Sequence, residues 1–329
     1  MVRLTFTPGL LLCLSFPLAA FPLEPSNPNA TEDVRKILKW LESLPKRTDN
    51  RVVSGHYFNM RVQEGIDKYV RPIHEQTGKW LALAAHDFIW WNSTNAPENI
   101  QALTNWWNDG GLVMLSWHQT NPETLQGYRG HCDLKQVVTP GTTVNKRYLS
   151  MLDERAEWLT QLKNNGVVVF WRPYHECNCC FWWGKTNKYF NKTDYVALWR
   201  YMHDYFVRVK NLDNLIWVYA PDWFAGCDEY YPGDKWVDIV AIDYYGTSDL
   251  SEIPLAYKKM TVFGKPFGIS ELGHYGDCTS LMDNLKRNFP NTVFVVPWYG
   301  EYSFLAHGDV KALVDDPWII TRDEVDWKK

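Results

Sequence analysis

The stretch Gly166–Glu176 reads GVVVFWRPYHE and decides the fold class of this 329-residue chain. It begins as an apolar run rich in β-branched and aromatic side chains, and it ends in polar and ionisable residues. An apolar run without polar alternation is typical of a parallel strand that is buried on both faces. The stretch therefore predicts one strand of a parallel sheet, with reactive groups at its carboxyl end.

Seven further runs share this pattern of an apolar start and a polar end. They are Arg51–Phe58, Leu81–Phe88, Gly111–His118, Asn214–Asp222, Val237–Tyr245, Pro266–Gly273 and Thr292–Gly300. Amphipathic segments lie between the runs, and we expect helices over Tyr148–Lys163 and over Asp194–Lys210, the second starting after Thr193. Eight strands that alternate with helices predict an α/β fold of the (β/α)8 TIM-barrel type.

The start of the chain predicts a secreted, extracellular protein. Residues 1–20 read as a signal peptide, with Arg3 before an apolar stretch over Leu10–Leu14 and small residues at Ala19 and Ala20. We expect residues 21–50 to be an N-terminal lead-in segment and residues 51–329 to be a single catalytic barrel domain. Three Asn-x-Ser/Thr sequons are glycosylation candidates, at Asn29, Asn92 and Asn191.

Composition excludes several classes of partner. The formal net charge is −4, whereas nucleic-acid binding needs a basic face that neutralises phosphates. The sequence offers no polybasic membrane anchor, and beyond the predicted signal no apolar run reaches the length of a membrane span. We expect a monomer that binds neither nucleic acid nor membrane. The aromatic share of 16%, with 18 Trp residues, predicts flat apolar faces on which a ligand stacks.

Six cysteines remain after the predicted signal, and in an oxidising compartment they are disulfide candidates. They are Cys132, Cys177, Cys179, Cys180, Cys227 and Cys278. All six follow predicted strands on one rim, so we expect disulfides that staple the loops of that rim or that only add stability. A zinc site on Cys177, Cys179 and Cys180 is disfavoured, because zinc motifs place two to four residues between thiolates. With no nucleotide-binding fingerprint either, we expect neither a metal nor a cofactor.

Two glutamates carry the chemistry. In chain order, Glu176 lies at the end of the fourth stretch, Gly166–Glu176, and Glu271 lies near the end of the seventh, Pro266–Gly273. The two glutamates are 95 residues apart, which corresponds to about three βα units of a barrel of about 250 residues. Barrel enzymes build their active sites at the carboxyl ends of the strands. Cleavage of a glycosidic bond needs a protonated acid and a carboxylate on either side of the bond. The alternative is that both glutamates are salt-bridge partners on the rim.

The motifs around these glutamates resemble glycoside hydrolase family 26. Trp171–Glu176 (WRPYHE), followed by Phe181–Gly184 (FWWG), looks like the acid/base signature of that family, and Ile269–Gly273 (ISELG) is similar to its nucleophile motif. Ser116-Trp117-His118, Asp243-Tyr244-Tyr245 and Trp298 also match its active-site positions, and Asp316–Asp323 resembles its final helix. The resemblance covers Arg51 to Asp323 and departs from the family at Cys177–Cys180, which is one residue shorter than the usual stretch.

The resemblance implies roles for single residues. Glu176 is expected to be the acid/base and Glu271 the nucleophile. His118 is expected to bind the sugar at the cleavage subsite, His175 to orient groups there, and Tyr245 to hydrogen-bond the nucleophile. The remaining candidates for substrate binding are Trp298 as the floor of the sugar site, Trp182, Phe181, Trp117 and Arg172. Of the neighbours Trp182 and Trp183, we expect one to face substrate and the other the core.

The resemblance also implies an activity. The family consists mostly of endo-β-1,4-mannanases, so we expect a retaining endo-β-1,4-mannanase that cleaves mannan-type polysaccharide by double displacement. β-1,3-1,4-Glucanase and β-1,3-xylanase activity are alternatives within the family. A non-catalytic carbohydrate-binding barrel is the alternative from another class, although a binding protein has no need of the matched glutamates.

Overall fold

The computed structural model describes residues 24–224 and 226–329, and its centre is a closed barrel of eight parallel strands. The predicted signal peptide lies outside the described residues. The strands are β1 (Val52–Tyr57), β2 (Leu83–Asp87), β3 (Leu112–Ser116), β4 (Val169–Arg172), β5 (Leu215–Tyr219), β6 (Ile239–Tyr244), β7 (Phe267–Leu272) and β8 (Thr292–Pro297). They pair in chain order, and β1 closes the barrel by pairing with both β2 and β8. The predicted (β/α)8 TIM barrel is confirmed.

Helices cover the outside of the barrel and connect the strands. They are α1 (Glu32–Ser43), α2 (Val62–Gly65), α3 (Arg71–Thr77), α4 (Ala96–Asn108), α5 (Leu134–Val138), α6 (Thr143–Asn164), α7 (Lys192–Asp204), α8 (Ile253–Thr261), α9 (Cys278–Asn288) and α10 (Val310–Val314). Between β5 and β6 the described residues form a single 3-10 turn, Asp234–Trp236, instead of an α-helix. Within the described residues, no helix is both long and apolar enough to span a membrane.

Three predicted elements differ from the structure. Helix α6 begins at Thr143, five residues before the predicted start at Tyr148, because the Thr142 side chain accepts from the Asn145 backbone N–H at 3.0 Å and caps the helix. Helix α7 begins two residues before the predicted start, because the Asn191 side chain accepts a hydrogen bond from the Asp194 backbone N–H at 2.9 Å and caps the helix. The segment Asp316–Asp323 was expected to be helical. Instead it contains a short strand, β9 (Ile319–Ile320), which pairs with β1, and the start of a 3-10 turn, Arg322–Glu324.

The lead-in segment is part of the folded unit. Helix α1 buries one apolar face, and its Trp40 indole donates to the Asp326 carboxylate at 2.6 Å, which joins the two ends of the described chain. Ahead of α1, the backbone N–H of Ser26 donates to the Asp238 carboxylate at 2.5 Å, just before β6. These contacts fix residues from Ser26 onwards against the amino-terminal end of the barrel.

The pleat of β4 decides which side chains reach the barrel interior. Phe170 lies 6.3 Å from the Phe294 ring of β8 across the barrel, and Arg172, two residues on, also points inward toward β6 and β7. Trp171 points outward, against Phe88 and Phe206. The alternation therefore delivers a single cation into the mouth of the barrel.

A register shift on β7 places the second glutamate. Ile242 pairs with Ile269, but the next residue of β6, Asp243, pairs with Glu271, so that Ser270 is an extra residue on β7. The Ser270 hydroxyl donates to the Asp243 carboxylate at 2.6 Å, which anchors the bulge. Bulges next to active sites re-aim side chains, and this one turns Glu271 toward the barrel mouth beside Asp243.

Candidate active site

Three carboxylates meet at the carboxyl end of the barrel. Glu271 comes from β7, Asp243 from β6, and Glu176 from the loop that follows β4. One carboxylate oxygen from each lies within 4.8 Å of the others. Asp243 and Glu271 are buried, whereas Glu176 is half-buried at the surface of the cleft. The structure thus brings the two predicted catalytic glutamates together.

Glu271 is surrounded by hydrogen-bond donors. The Arg172 guanidinium donates to one of its oxygens, and the Tyr245 hydroxyl donates to the other at 2.7 Å. Arg172 also pairs with Asp243 at 2.5 Å and donates to the Tyr57 hydroxyl at 3.0 Å. Burial disfavours the charge on Arg172, but the attraction of Asp243 prevails and its pKa is raised well above the usual value. The two donors together hold both carboxyl oxygens of Glu271 in place.

Glu176 lies on a strained loop. Tyr174 and Glu176 both adopt left-handed backbone conformations, with φ of 46° and 51°, which non-glycine residues rarely do. Tertiary hydrogen bonds hold the loop, because the Glu176 N–H donates to the Ala220 carbonyl at 2.8 Å and the Trp183 indole donates to the His175 carbonyl at 2.8 Å. The strain is thus imposed by contacts with β5 and with the downstream loop.

The pKa of Glu176 is raised well above its usual value. Burial is the largest cause, and the negative charges of Glu271, Asp243 and Asp222 add to it. Within the described residues, no side chain or backbone group forms a hydrogen bond with the Glu176 carboxyl. The surroundings of Glu176 therefore favour the protonated form of its carboxyl.

A pair of histidines forms the wall beside Glu176. Asp87, at the end of β2, accepts from His118 Nδ1 at 2.7 Å and from the Ser116 hydroxyl at 2.5 Å. Burial opposes the charged form of His118, but Asp87 outweighs it and the pKa of His118 is raised. His118 Nε2 lies 3.2 Å from His175 Nε2. Burial, together with Arg172 and His118, lowers the pKa of His175, which favours the neutral form of its ring.

Aromatic side chains line the open part of the cleft. A cavity of about 140 Å³ is bordered by Ile89, Trp90, His118, Tyr128, Trp298 and Tyr299. Trp298 and Tyr299 are half-buried, with ring centroids 4.7 Å apart, and Trp90 is 38% exposed. Phe181 packs edge-on against both His118 and His175 at 5.1 Å. A larger cavity of about 680 Å³ lies at the other end of the barrel, near Ser26 and Trp236, away from the carboxylates.

Three of the side chains expected to contact substrate are enclosed by packing in the structure. Trp182 and Arg172 are fully buried, and Trp117 is 3% exposed. The Trp182 indole donates to the Gln119 carbonyl at 2.8 Å, and Trp117 lies beneath the Arg155 guanidinium. Both indoles therefore pack within the protein. Arg172 reaches the carboxylates instead of the cleft. Trp183 is fully buried as well, and among the described residues Trp90 is the tryptophan most exposed along the cleft.

Two residues of the site, Asp87 and Tyr57, had no predicted role, and a third, Asp243, was predicted only through its match to an active-site position of the family. Asp87 orients His118, Asp243 pairs with Arg172, and Tyr57 hydrogen-bonds both Arg172 and Ser116. All three lie at the carboxyl ends of their strands, which is the signal that identifies them. Neither Asp87 nor Tyr57 faces the open cleft, because both are fully buried.

The candidate disulfides are not formed in the structure, where all six cysteines are free thiols. The Cys177 thiol faces the Tyr219 hydroxyl at 3.6 Å, and Cys132 is fixed through its backbone to Asn187. The thiol of Cys278, the first residue of α9, donates to the Phe304 carbonyl at 3.9 Å. Cys179 and Cys180 are half-buried beside Glu176, and a hydrogen bond from Cys179 lowers the pKa of Cys180 to about 6. The three sequon asparagines are all exposed.

Comparison with known proteins places the chain in a family. The family model described as glycosyl hydrolase family 26 matches residues 26–324. A mannan endo-1,4-beta-mannosidase of Bacillus subtilis (strain 168) is 31% identical over 95% of this chain and 92% of its own length. The mannan endo-1,4-beta-mannosidase A and B of Caldalkalibacillus mannanilyticus is 34% identical over 92% of this chain, which spans 63% of that relative's length.

A solved structure shares the fold as well. The structure of Bacillus subtilis mannanase man26 superposes with a TM-score of 0.83 at 30% identity, covering 92% of this chain and 96% of that one. The family model spans both predicted catalytic glutamates and every strand of the barrel. The chain is a glycoside hydrolase and belongs to glycosyl hydrolase family 26.

Proposed function

We propose that this protein is a retaining endo-β-1,4-mannanase with Glu271 as nucleophile and Glu176 as acid/base. The observation that carries the proposal is the contrast between the two carboxyls, which approach within 4.8 Å, one beside a cation and one in a site that favours its proton. Retaining glycosidases place their carboxyl groups about 5–5.5 Å apart, whereas inverting enzymes need roughly 6.5–9.5 Å for a water. The short approach supports the retaining mechanism.

The reaction follows from the placement of the groups. The Glu271 carboxylate attacks the anomeric carbon while the Glu176 carboxylic acid gives its proton to the departing glycosidic oxygen, so that a glycosyl ester forms on Glu271. Glu176, now a carboxylate, then takes a proton from water as the water oxygen attacks the same carbon and releases Glu271. Arg172 and Tyr245 stabilise Glu271 as a leaving group, and Asp87 holds His118 in place beside the reacting sugar.

The substrate class is proposed from the relatives and from the cleft. The two relatives described above are mannan endo-1,4-beta-mannosidases, and the open aromatic surface of Trp90, Trp298 and Tyr299 suits the apolar faces of sugar rings. The test is the release of reducing sugar from mannan, glucomannan, lichenan and β-1,3-xylan. We expect hydrolysis of mannan and glucomannan. Hydrolysis of lichenan or xylan alone would replace the substrate assignment, and no hydrolysis of any of the four would favour a carbohydrate-binding barrel.

Stereochemistry tests the mechanism separately. Early proton NMR spectra of the products from a mannan oligosaccharide should show the β-anomer first, since two displacements restore the starting configuration. An α-anomer as the first product would contradict the role of Glu271 as nucleophile, even if mannan is the substrate.

We also propose that the protein is secreted, monomeric and glycosylated, on the basis of its first 20 residues and of the exposed sequons. Expression in a eukaryotic secretory host should deliver protein to the medium, with a monomeric mass in light scattering. Glycan removal should reduce that mass. Retention inside the cell would contradict secretion, an unchanged mass would contradict glycosylation, and a dimeric mass would contradict the monomer.

A further inference from the structure

The loop after β4 carries a group of potential metal ligands that the hydrolytic mechanism does not use as such. Glu176, Cys179 and Cys180 each offer one ligand atom, and the three atoms lie within 4.8 Å of one another. The sequence spacing argued against zinc on Cys177, Cys179 and Cys180. The structure regroups these residues, because the buried Cys177 thiol faces Tyr219 while Cys179 and Cys180 remain half-buried beside Glu176.

The loop holds this group in a fixed arrangement. The Cys179 N–H donates to the Glu176 carbonyl at 2.8 Å. This tight turn brings the side chains of Cys179 and Cys180 to the same side of the loop as the Glu176 side chain. The carbonyls of Cys177 and Cys179 accept from the backbone of the following segment at 2.9 and 3.1 Å. The Asn178 side chain both donates to and accepts from the Asp222 backbone, at 3.0 and 2.8 Å. The ligands are therefore preorganised before any ion arrives.

The chemistry of the donors points to one class of ion. Thiolates select thiophilic cations such as zinc and cadmium, and a carboxylate completes such sets. With Zn–S bonds of about 2.3 Å and Zn–O bonds of about 2.0–2.2 Å, tetrahedral ligands lie about 3.3–3.8 Å apart. A small contraction of the present group reaches that spacing.

We propose that Glu176, Cys179 and Cys180 form a binding site for a thiophilic divalent cation, with water as the fourth ligand, and that the bound ion blocks hydrolysis. Binding displaces the protons of both thiols and of the Glu176 carboxyl into solvent. Glu176 then has no proton to give to the glycosidic oxygen. The binding site stands on the loop geometry alone, whereas the block rests on the proposed role of Glu176.

Cadmium tests the site directly, because cadmium thiolates absorb in the ultraviolet. Titration of the reduced, reductant-free full chain with Cd²⁺ should give a charge-transfer band that saturates at one equivalent. The Cys179→Ser/Cys180→Ser variant should lose the band, and the control Cys278→Ala, which removes a thiol remote from the cleft, should keep it. Cd²⁺ should also protect Cys179 and Cys180 of the wild-type chain from alkylation, a readout that needs no variant. Mg²⁺, a hard cation, should do neither.

Inhibition tests the consequence. Zn²⁺ should inhibit the wild-type enzyme, and the half-inhibitory concentration should rise at least about tenfold in the double variant, since loss even of an outer-shell partner costs that much. No band in the wild-type chain, a band that survives in the double variant, or a Cys179–Cys180 disulfide in the purified protein would overturn the site. Inhibition that survives after the band is lost would assign the block to Glu176, Asp243 and Glu271 instead. A chain that shows the band but hydrolyses no polysaccharide would overturn the proposed function and leave the site standing.

Discussion

The end of β7 and the loop after β4 each deliver one glutamate to the same cleft, yet by opposite physical means. Glu271 is part of a strand, fully enclosed, and receives hydrogen bonds from Arg172 and Tyr245. Glu176 stands on a strained loop, and within the described chain its carboxyl receives none, while burial and negative neighbours raise its pKa. Donors therefore fix the position of the Glu271 carboxyl, whereas burial and nearby negative charge favour the protonated form of Glu176.

The largest expected effect comes from removal of either carboxyl. Glu271→Ala and Glu176→Ala should each reduce turnover on polysaccharide by at least about a thousandfold, as expected for groups that act in the transition state. The two variants should differ on a substrate with an activated aryl leaving group, which needs little protonation. On that substrate Glu176→Ala should retain far more of the first, glycosylation step than Glu271→Ala, which can be measured as a burst of released aryl alcohol.

The control for this pair is Glu98→Ala, which removes an exposed glutamate of α4 and should leave turnover unchanged. Equal losses for both catalytic variants on the aryl substrate would contradict the assignment of acid and nucleophile. An intact near-ultraviolet circular dichroism spectrum in both variants distinguishes lost chemistry from lost folding.

Removal of the Arg172 guanidinium should destabilise the buried carboxylates that it pairs with. Arg172→Met leaves Glu271 and Asp243 buried without their counter-ion, and we expect a loss of about 3–5 kcal/mol in the free energy of unfolding at neutral pH. The loss should shrink in acid, where protonation of the two carboxyls removes the unpaired charges. Denaturant unfolding of the variant and of wild type across pH measures it. Turnover should fall as well, because Glu271 loses one of the two donors that hold its carboxyl in place.

Arg155→Met is the matched control, since Arg155 is also largely buried but lies against Trp117 and Trp158, outside the group of carboxylates. It should alter stability without changing the pH dependence of unfolding seen in Arg172→Met. A stability loss in Arg172→Met that is the same at every pH would contradict the role of the guanidinium as the counter-ion.

A milder change tests the second donor to the nucleophile. Tyr245→Phe removes the hydroxyl that donates to Glu271 at 2.7 Å and keeps the ring. Hydrogen bonds to charged groups contribute about 1.5–3 kcal/mol, so turnover should fall by about tenfold to a hundredfold. Steady-state kinetics on a mannan oligosaccharide measures the change, and Tyr257→Phe on α8, whose hydroxyl accepts from the Asn291 backbone, is the control. Unchanged turnover in Tyr245→Phe would mean that Arg172 alone supports the nucleophile.

The sequence predicts the strand end better than the loop. The eight apolar runs identify the eight strands, since burial on both faces leaves a continuous pattern, and Glu271 follows from its place at the end of one run. Strand β9 has only two residues, which is too short for any pattern. The left-handed backbone of Tyr174 and Glu176 is equally invisible, because tertiary hydrogen bonds impose it on residues that do not favour it.

The sequence pattern also does not predict which aromatic side chains of the loop after β4 are buried. Phe181 and one of the pair Trp182 and Trp183 were expected to contact sugar, but the loop folds back over itself. All three side chains are buried in its packing, with Phe181 and Trp183 stacked at 4.6 Å. Nothing in the spacing of these residues tells which face of an irregular loop is covered. Most of the described tryptophans are therefore part of the core, and Trp90, on the loop after β2, is the one that offers an exposed ring.

The smallest expected effect concerns the proton on Glu176. Asp222 contributes to the raised pKa of Glu176, and burial raises the pKa of Asp222 itself to about 7. Asp222→Asn keeps an oxygen for the hydrogen bond from the Trp223 N–H, now at 2.8 Å, and removes the negative charge. The pKa of Glu176 should then fall, so the alkaline limb of turnover against pH should move to lower pH, while the maximum rate at acid pH stays close to that of wild type.

The pH dependence of protein stability should provide an independent measure of the charge on Asp222. A carboxyl whose pKa is raised by folding supports the folded state fully at acid pH, and this support is lost as pH rises from its unfolded value of 3.8 through about 7. The wild-type chain loses that contribution and Asp222→Asn does not, so the stability of the variant relative to wild type should rise across this interval. Thermal unfolding at several pH values measures it, with Asp283→Asn, an exposed α9 side chain, as the control. The alkaline limb could instead stay in place while the stability difference appears. That result would mean that burial, Glu271 and Asp243 raise the pKa of Glu176 without a contribution from Asp222.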